Sequence, residues 1–445
     1  MKKVLALLLA MGMVVSLVAC GNSATSSKPA ENTAAESVAT VESKPAESVA
    51  VTEPVDITMW CIATESDSNR HSYEAAIDDF KTAHPEVNFT WEATSNQEYK
   101  TKIKAAAAAN EMPDIFFTWG GGFLGELVGS DRVYCLDEAY TKYAAEFPKE
   151  NLINHTFDGK LYAAPTTFNI VVMYCNMDLL KEAGYDKVPG TYDELMACCD
   201  ALVEKEIIPF GCSGKETWCV TEYLESMIEK STGAATLSDM YNGKTSWNNE
   251  DVNQAVAKFQ DMISKNYFDP AGIALDHNEV KNGFLQGKYA FYINGSWICA
   301  DVKNAGIEGH VQIAEFPVIN SANSQLGELI GGANDSLAVA ASSKNAALAA
   351  EYAMELSRSI CHYGYYDGNG LPAWDYDYDL SKINPLTVTV GEIVKNAKGI
   401  VLFGDTFLKA DNANTYLDYV GQIYASAIDG KGFAEGLNND LDYSK

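Results

Sequence analysis

Three observations predict an α/β protein built as two lobes. Strand-like and helix-like segments alternate from Val55 onward, the pattern of sheets covered by helices. The chain has 445 residues, more than one hydrophobic core usually organises. Hydrophobic residues make up 47 % of it, which fills substantial cores and excludes general disorder. No solenoid period runs through the body.

The elements follow in order. Val55-Asp56-Ile57-Thr58-Met59-Trp60 alternates as a first strand. Apolar residues at helical spacing from Tyr73 to Thr82 predict a helix that stops before Pro85. Val87-Asn88-Phe89-Thr90-Trp91 alternates as a second strand, and Glu98 to Asn110, rich in alanine around Ile103, is a second helix. It ends at Pro113, after which Asp114-Ile115-Phe116-Phe117-Thr118-Trp119 reads as a third strand feeding Gly120-Gly121-Gly122. Thr191-Tyr192-Asp193-Glu194 is a capping box, so Thr191 is expected to cap a helix reaching Val203.

The N-terminus sets the compartment. Lys2 and Lys3 precede an apolar run from Val4 to Val15, and Leu17-Val18-Ala19-Cys20 closes it. A basic start, a short apolar core and a small residue before the cut make a secretory signal peptide over residues 1–19. The run is too short for a comfortable membrane span. The ending resembles the bacterial lipoprotein pattern, which implies a diacylated Cys20, palmitate included, and a lipid anchor at the extracytoplasmic face of the cell membrane. Gly21 to Glu53 contains no aromatic residue, Leu or Ile. With Cys20 it reads as a disordered tether, with an end-to-end distance of roughly 30 Å. Within it Ser27-Lys28-Pro29-Ala30-Glu31 is duplicated at Ser43-Lys44-Pro45-Ala46-Glu47.

Charge and cysteine use narrow the classes. With 61 Asp and Glu against 32 Lys and Arg, the net charge of −29 argues against nucleic acid as a partner. Ten cysteines would suggest a disulfide framework in an exported protein, but setting Cys20 aside leaves an odd number. Their apolar surroundings, as in Trp60-Cys61 and Ala197-Cys198-Cys199, suit small buried hydrophobes. A Cys212–Cys219 bridge stays open.

A set of short motifs, in order over nearly the whole body, then carries a resemblance. They are Ile57-Thr58-Met59-Trp60; Pro113-Asp114-Ile115-Phe116; Gly159-Lys160-Leu161-Tyr162-Ala163-Ala164-Pro165; the run from Tyr174 to Gly184; Val188-Pro189-Gly190-Thr191-Tyr192-Asp193-Glu194-Leu195; Gly287-Lys288-Tyr289-Ala290 with Gly295-Ser296-Trp297; and Gly331-Gly332. Together they resemble the carbohydrate-binding extracellular solute receptors of ABC importers, the family that includes maltose-binding protein. The resemblance implies a two-lobed periplasmic-binding-protein-like clamp with three interlobe crossings, near Pro165–Asn169, Leu329–Gly332 and Gly370–Ala373. Lobe one would combine 54–166 with 333–362, and lobe two 167–332 with 363–445. A ligand would sit in the cleft, the lobes would close around it, and the closed monomer would dock on ABC permease subunits in the membrane.

A sugar offers an apolar C–H face and a rim of hydroxyls, so its site needs aromatic platforms and polar partners. Trp119 ends a strand at a glycine turn, where strand ends face the crevice of an open α/β sheet. Gly121 would let backbone approach the ligand. Trp297 matches the family's stacking position in lobe two. Trp374 follows the third crossing, Trp218 lies in a loop before a helix, and Trp60 sits inside the first strand with core packing as its rival role. Glu65 follows the first strand where the family supplies a polar group; Thr166 and Phe168 lie on the first crossing, and Asn334 follows Gly331-Gly332. Asp114 is read instead as a tie to a helix end or turn. The charged cleft positions of maltose-binding protein are not reproduced after Trp119, which leaves the sugar open.

Two rivals remain. An exported carbohydrate-active enzyme would need two carboxylates across the scissile bond, but no His-Glu-x-x-His or Gly-x-Ser-x-Gly motif is present. The same clamp could take a non-sugar ligand such as a polyamine; an anionic ligand is disfavoured because Arg70, Arg132 and Arg358 are the only arginines. Asp375, Asp377 and Asp379 alternate like a calcium loop, with Leu380 where the turn glycine belongs. The expectation is therefore a lipid-anchored, non-enzymatic receptor for a neutral mono- or oligosaccharide, with no cofactor and no metal.

Overall fold

The computed structural model describes residues 54–443. The signal peptide 1–19, Cys20 and the tether 20–53 lie outside the described residues. Thirteen strands are described: β1 Val55–Cys61, β2 Val87–Ala93, β3 Ile115–Trp119, β4 Thr156–Phe157, β5 Lys160–Leu161, β6 Ala163–Pro165, β7 Phe168–Asn176, β8 Ile208–Phe210, β9 Tyr289–Gly295, β10 Val311–Ala314, β11 Glu328–Ala333, β12 Asp335–Val339 and β13 Gly399–Val401.

The first sheet runs β2-β1-β3-β12-β6. β1 lies parallel to β2 from Val55↔Val87 to Cys61↔Ala93, and parallel to β3. The alternation in β1 turns Ile57, Met59 and Cys61 into the core, while β3 is buried at every position, as a central strand covered on both faces requires. Asp114 ties this sheet together. One carboxylate oxygen accepts from the Thr58 amide and hydroxyl, both at 2.8 Å, and the other from the Ser343 hydroxyl at 2.6 Å. Helices Arg70–Ala83, Asn96–Ala109 and Ala346–Asp367 pack here; the first two begin a residue or more before the apolar periodicity does, because polar first turns carry no apolar signal.

The second sheet runs β13-β11-β7-β9-β8, with β10 against β7. β7 is its nine-residue spine, pairing antiparallel with β9, β10 and β11. The capping box forms as expected: Thr191 Oγ1 accepts from the Glu194 amide at 3.2 Å, and the Glu194 carboxylate accepts from the Thr191 amide at 3.2 Å, opening helix Tyr192–Glu204.

Each sheet organises its own hydrophobic core. One gathers residues from 57–164 and 337–374; the other main core and its satellite cluster gather 170–330 and 386–441. The chain passes between lobes after β6, where Thr166 and Thr167 link it to β7, and again at Asn334 between β11 and β12. The third passage is more extended than the motif match implies. Leu371 bonds Phe168 at the hinge, but Ala373 and Trp374 then return to the first core before helix Pro385–Lys395 packs in the second lobe.

Gly331, at φ +147°, and Gly370, at φ +123°, hold the crossings close: a Cβ at either would collide with Asn169. The Asn169 side chain in turn accepts from the Ser296 hydroxyl at 2.6 Å. Cys212 and Cys219, left open as a pair by the sequence, are both free and buried. Among the described residues no helix is long and apolar enough to cross a membrane, and no His, Cys, Asp or Glu group is placed to hold a metal ion.

Candidate functional site

The cleft between the lobes contains about 1220 Å³ of space including its open mouth. Strand ends and helix starts build it. From the first lobe, Ile62 and Thr64 follow β1, Trp119 ends β3, and Asp335 opens β12; Asp67 and Ser68 precede one helix and Asn96 and Gln97 begin the next. Trp218, His277 and Trp297 stand at or just before the starts of second-lobe helices. Amide-rich helix starts and carboxyl ends of strands therefore face one space, the arrangement open α/β sheets use for ligands.

An aromatic wall lines the second-lobe side. His277 and Trp218 have ring centroids 4.9 Å apart, Trp218 and Trp297 6.3 Å, and Trp297 and Phe403 6.1 Å. The Trp218 indole N–H donates to Glu216 at 3.0 Å, which fixes the ring. Opposite, Trp119 is only 5 % exposed, wedged edge-on against Phe117 and Phe123, with Lys100 Nζ 4.9 Å above its ring.

Six carboxyls also reach the cleft: Asp67, Glu216, Glu222, Asp301, Asp335 and Asp405. Lys100 pairs with Asp405 at 3.5 Å and Lys281 with Asp301 at 3.0 Å. Lys281 also donates to the Ser66 carbonyl at 3.2 Å, so each lysine joins the two lobes. Glu216 accepts from Trp218 and from the His277 amide. Asp335 is pushed up to about 7, by burial first and then by the negative charge of Asp67. Burial drives His277 down to about 3, with Lys281 adding to the effect, so its imidazole is neutral. Glu222 is 2 % exposed and neither of its carboxyl oxygens has a hydrogen-bond partner.

The structure brings together four of the sequence candidates, Trp119, Trp218, Trp297 and Asn334. The others lie elsewhere. Glu65 is exposed while its neighbours Thr64 and Ser66 line the cleft, because the loop turns its side chain outward. Gly121, at φ +71°, starts a helix and lets the second-lobe backbone at Thr406 and Phe407 approach, where ligand was expected. Thr166 is spent on the hinge, its amide and hydroxyl both donating to the Asp335 carbonyl. Phe168 lines a separate groove with Ile153, Ile400 and Phe407. Trp60 sits under Lys102 Nζ at 4.0 Å, off the cleft. Trp374, expected at the cleft mouth, is 1 % exposed, stacked on Phe147 at 4.3 Å and donating to the Pro165 carbonyl at 2.9 Å; a core position excludes it as a ligand platform.

Sequence reasoning missed Asp67, Lys100, Glu216, Glu222, His277, Lys281, Asp301, Asp335, Phe403 and Asp405. One signal was available. Helix Trp218–Thr232 carries Glu222, Glu225 and Glu229 at helical spacing, and all three are buried.

Two lobes joined by a glycine-bearing hinge, with an aromatic and carboxyl-rich cleft between them, define a solute-receptor architecture. The chain belongs to the bacterial extracellular solute-binding protein family, whose profile matches residues 65–355. It is 24 % identical over 383 residues to the multiple sugar-binding protein of Streptococcus mutans, covering 81 % of this chain and 84 % of that one. It is 22 % identical over 283 residues to the melibiose/raffinose/stachyose-binding protein MelE of Bacillus subtilis, covering 61 % and 63 %. A solved structure from work on xylan utilization by the thermophilic bacterium Caldanaerobius polysaccharolyticus superposes with a TM-score of 0.83 at 32 % identity, covering 87 % of this chain and all of that one. A chitin oligosaccharide binding protein superposes at 0.78 and 20 % identity, covering 87 % and 98 %.

Proposed function

We propose that this protein is the substrate-binding subunit of an ABC importer, capturing a neutral sugar or oligosaccharide in its cleft and delivering it unchanged to the permease. The observation that carries the reading is the row His277, Trp218, Trp297 and Phe403 facing a cleft rich in carboxyls. Aromatic faces suit C–H surfaces and carboxyls accept from hydroxyls. The sugar-binding names of the relatives support it. Lobe one is 54–166 with 333–362, and lobe two 167–332 with 363–445, apart from the end of helix Ala346–Asp367 and from Ala373 and Trp374, which pack against the first lobe. The lobes close about the hinge as a non-enzymatic monomer, held to the membrane through acylated Cys20.

The test is calorimetry and thermal shift on the full-length protein in detergent with maltotriose, raffinose, stachyose, xylotriose and spermidine. Ligand at a hundred times its dissociation constant adds about 2.7 kcal/mol of stability. A neutral sugar is expected to bind and to be recovered intact. Cleavage of the sugar would show an enzyme. Binding of spermidine alone would favour a cationic ligand, the second reading, which the surplus of cleft carboxyls over Lys100 and Lys281 supports.

A further inference from the structure

We infer that Glu222 is the buried recognition group of the cleft and that it meets a ligand hydroxyl as an uncharged carboxylic acid, donating from its O–H and accepting at its carbonyl oxygen. This rests on the sugar-receptor reading above and narrows its ligand chemistry.

The geometry comes first. Glu222 lines the cleft, is 2 % exposed, and has no side-chain partner at either oxygen; the Gly295 amide, the one backbone donor that acts on it, gives its own hydrogen bond to Asn294 Oδ1 at 3.0 Å. A buried polar group without partners is costly, and such groups are rare in folded proteins. Glu222 stands four residues after Trp218 on one helix, so both project from the same helical face, one turn apart. A ligand against the aromatic wall would therefore bring its polar edge to the carboxyl.

The surroundings set its protonation. The neighbouring charges that act on it are Asp405 and Glu225, both acids. It in turn acts on the thiols of Cys212 and Cys219 and the phenols of Tyr174, Tyr223 and Tyr292, none of them cationic. Burial, then these acids, push its carboxyl well above the usual carboxylate range, with the Gly295 amide acting in the opposite direction as the smallest of the four influences. Two other acids of the same cleft differ in having a lysine partner: Asp405 has Lys100, and Asp301 has Lys281. A neutral carboxyl offers one donor and one acceptor, the complement of a hydroxyl group, whereas a cationic nitrogen would call for the ionised form.

Two measurements test this. First, the panel sugar that binds the wild type is titrated into Glu222→Gln and Glu222→Ala. Gln keeps a donor and an acceptor, so its affinity should stay within about threefold, while Ala should weaken binding on the order of tenfold or more. Loss in both variants would mean that a charged carboxylate is needed; no loss in either would mean that Glu222 never meets the ligand. Either result overturns the inference. Second, infrared difference spectra of ligand-free wild type against Glu222→Gln at pH 7.5 should contain a protonated carboxyl C=O band, and its absence overturns the inference independently of any ligand. Should no panel sugar bind the wild type, the proposed function falls, and the infrared band still decides the protonation of Glu222.

Discussion

Lys100 of the first lobe and Asp405 of the second stand 3.5 Å apart across the cleft, with the Lys100 ammonium also 4.9 Å above the Trp119 ring. One side chain thus holds the opposite lobe and covers the first lobe's tryptophan. Both partners are mostly buried, at 21 % and 10 % side-chain exposure, so the pair is screened less than a surface bridge.

That contact predicts a latch. Asp405→Asn should weaken sugar binding by roughly fivefold through loss of the closed arrangement, and small-angle scattering should then record a larger mean radius for the sugar-loaded protein. Unchanged affinity and radius would remove the latch from the account.

Trp297 and Trp374 should separate binding from stability. Trp297→Ala removes a platform from the cleft wall and should cost about 2 kcal/mol of binding, near thirtyfold by calorimetry, while the circular dichroism spectrum stays native. Trp374→Ala should cost about 3–5 kcal/mol of folding stability in denaturant melts and leave the affinity of the folded protein within about twofold. The reverse pattern would overturn both placements.

The ligand-free protein should lose stability on the alkaline side of neutrality. Glu229 and Asp335 are raised to about 7 and Glu225 to about 8, each by burial first, followed by Lys230 acting in the opposite direction on Glu229, by Asp67 on Asp335 and by Asp405 on Glu225. The folded chain therefore keeps protons that the unfolded chain has released, and stability falls as pH rises through these values. His155, lowered to about 4, and His277, lowered to about 3, work the other way, but only below about pH 6.5. The melting temperature should drop steadily from pH 6.5 to pH 8.5; a flat profile there would contradict the buried acids.

Cys20→Ala should move the protein from the membrane fraction to the medium or soluble fraction, read by fractionation and immunoblot. Two acyl chains retain a protein that one holds poorly. Retention of the variant would rule out the lipid anchor.

The sequence by itself determined what local patterns encode. Alternation fixed β1, with Ile57, Met59 and Cys61 inward, and the Thr191–Glu194 pair fixed a helix start, because period and capping depend on residues a few positions apart. Ordered motifs placed the first crossing and put the second inside β11, just before Asn334 where it falls, and strand-end logic placed Trp119 at the cleft. Tertiary structure alone decided which polar groups face the ligand space. Trp374 and Trp297 both follow small residues beside glycine-containing turns, yet Phe147, more than two hundred residues before Trp374, buries the one, while Trp218 and Phe403 set the other in the cleft wall. Glu222 resembles any helical glutamate until helix packing closes around it, and Lys100 and Asp405 meet only when the lobes do. Burial and pairing are sums over distant neighbours, and no local spacing carries them.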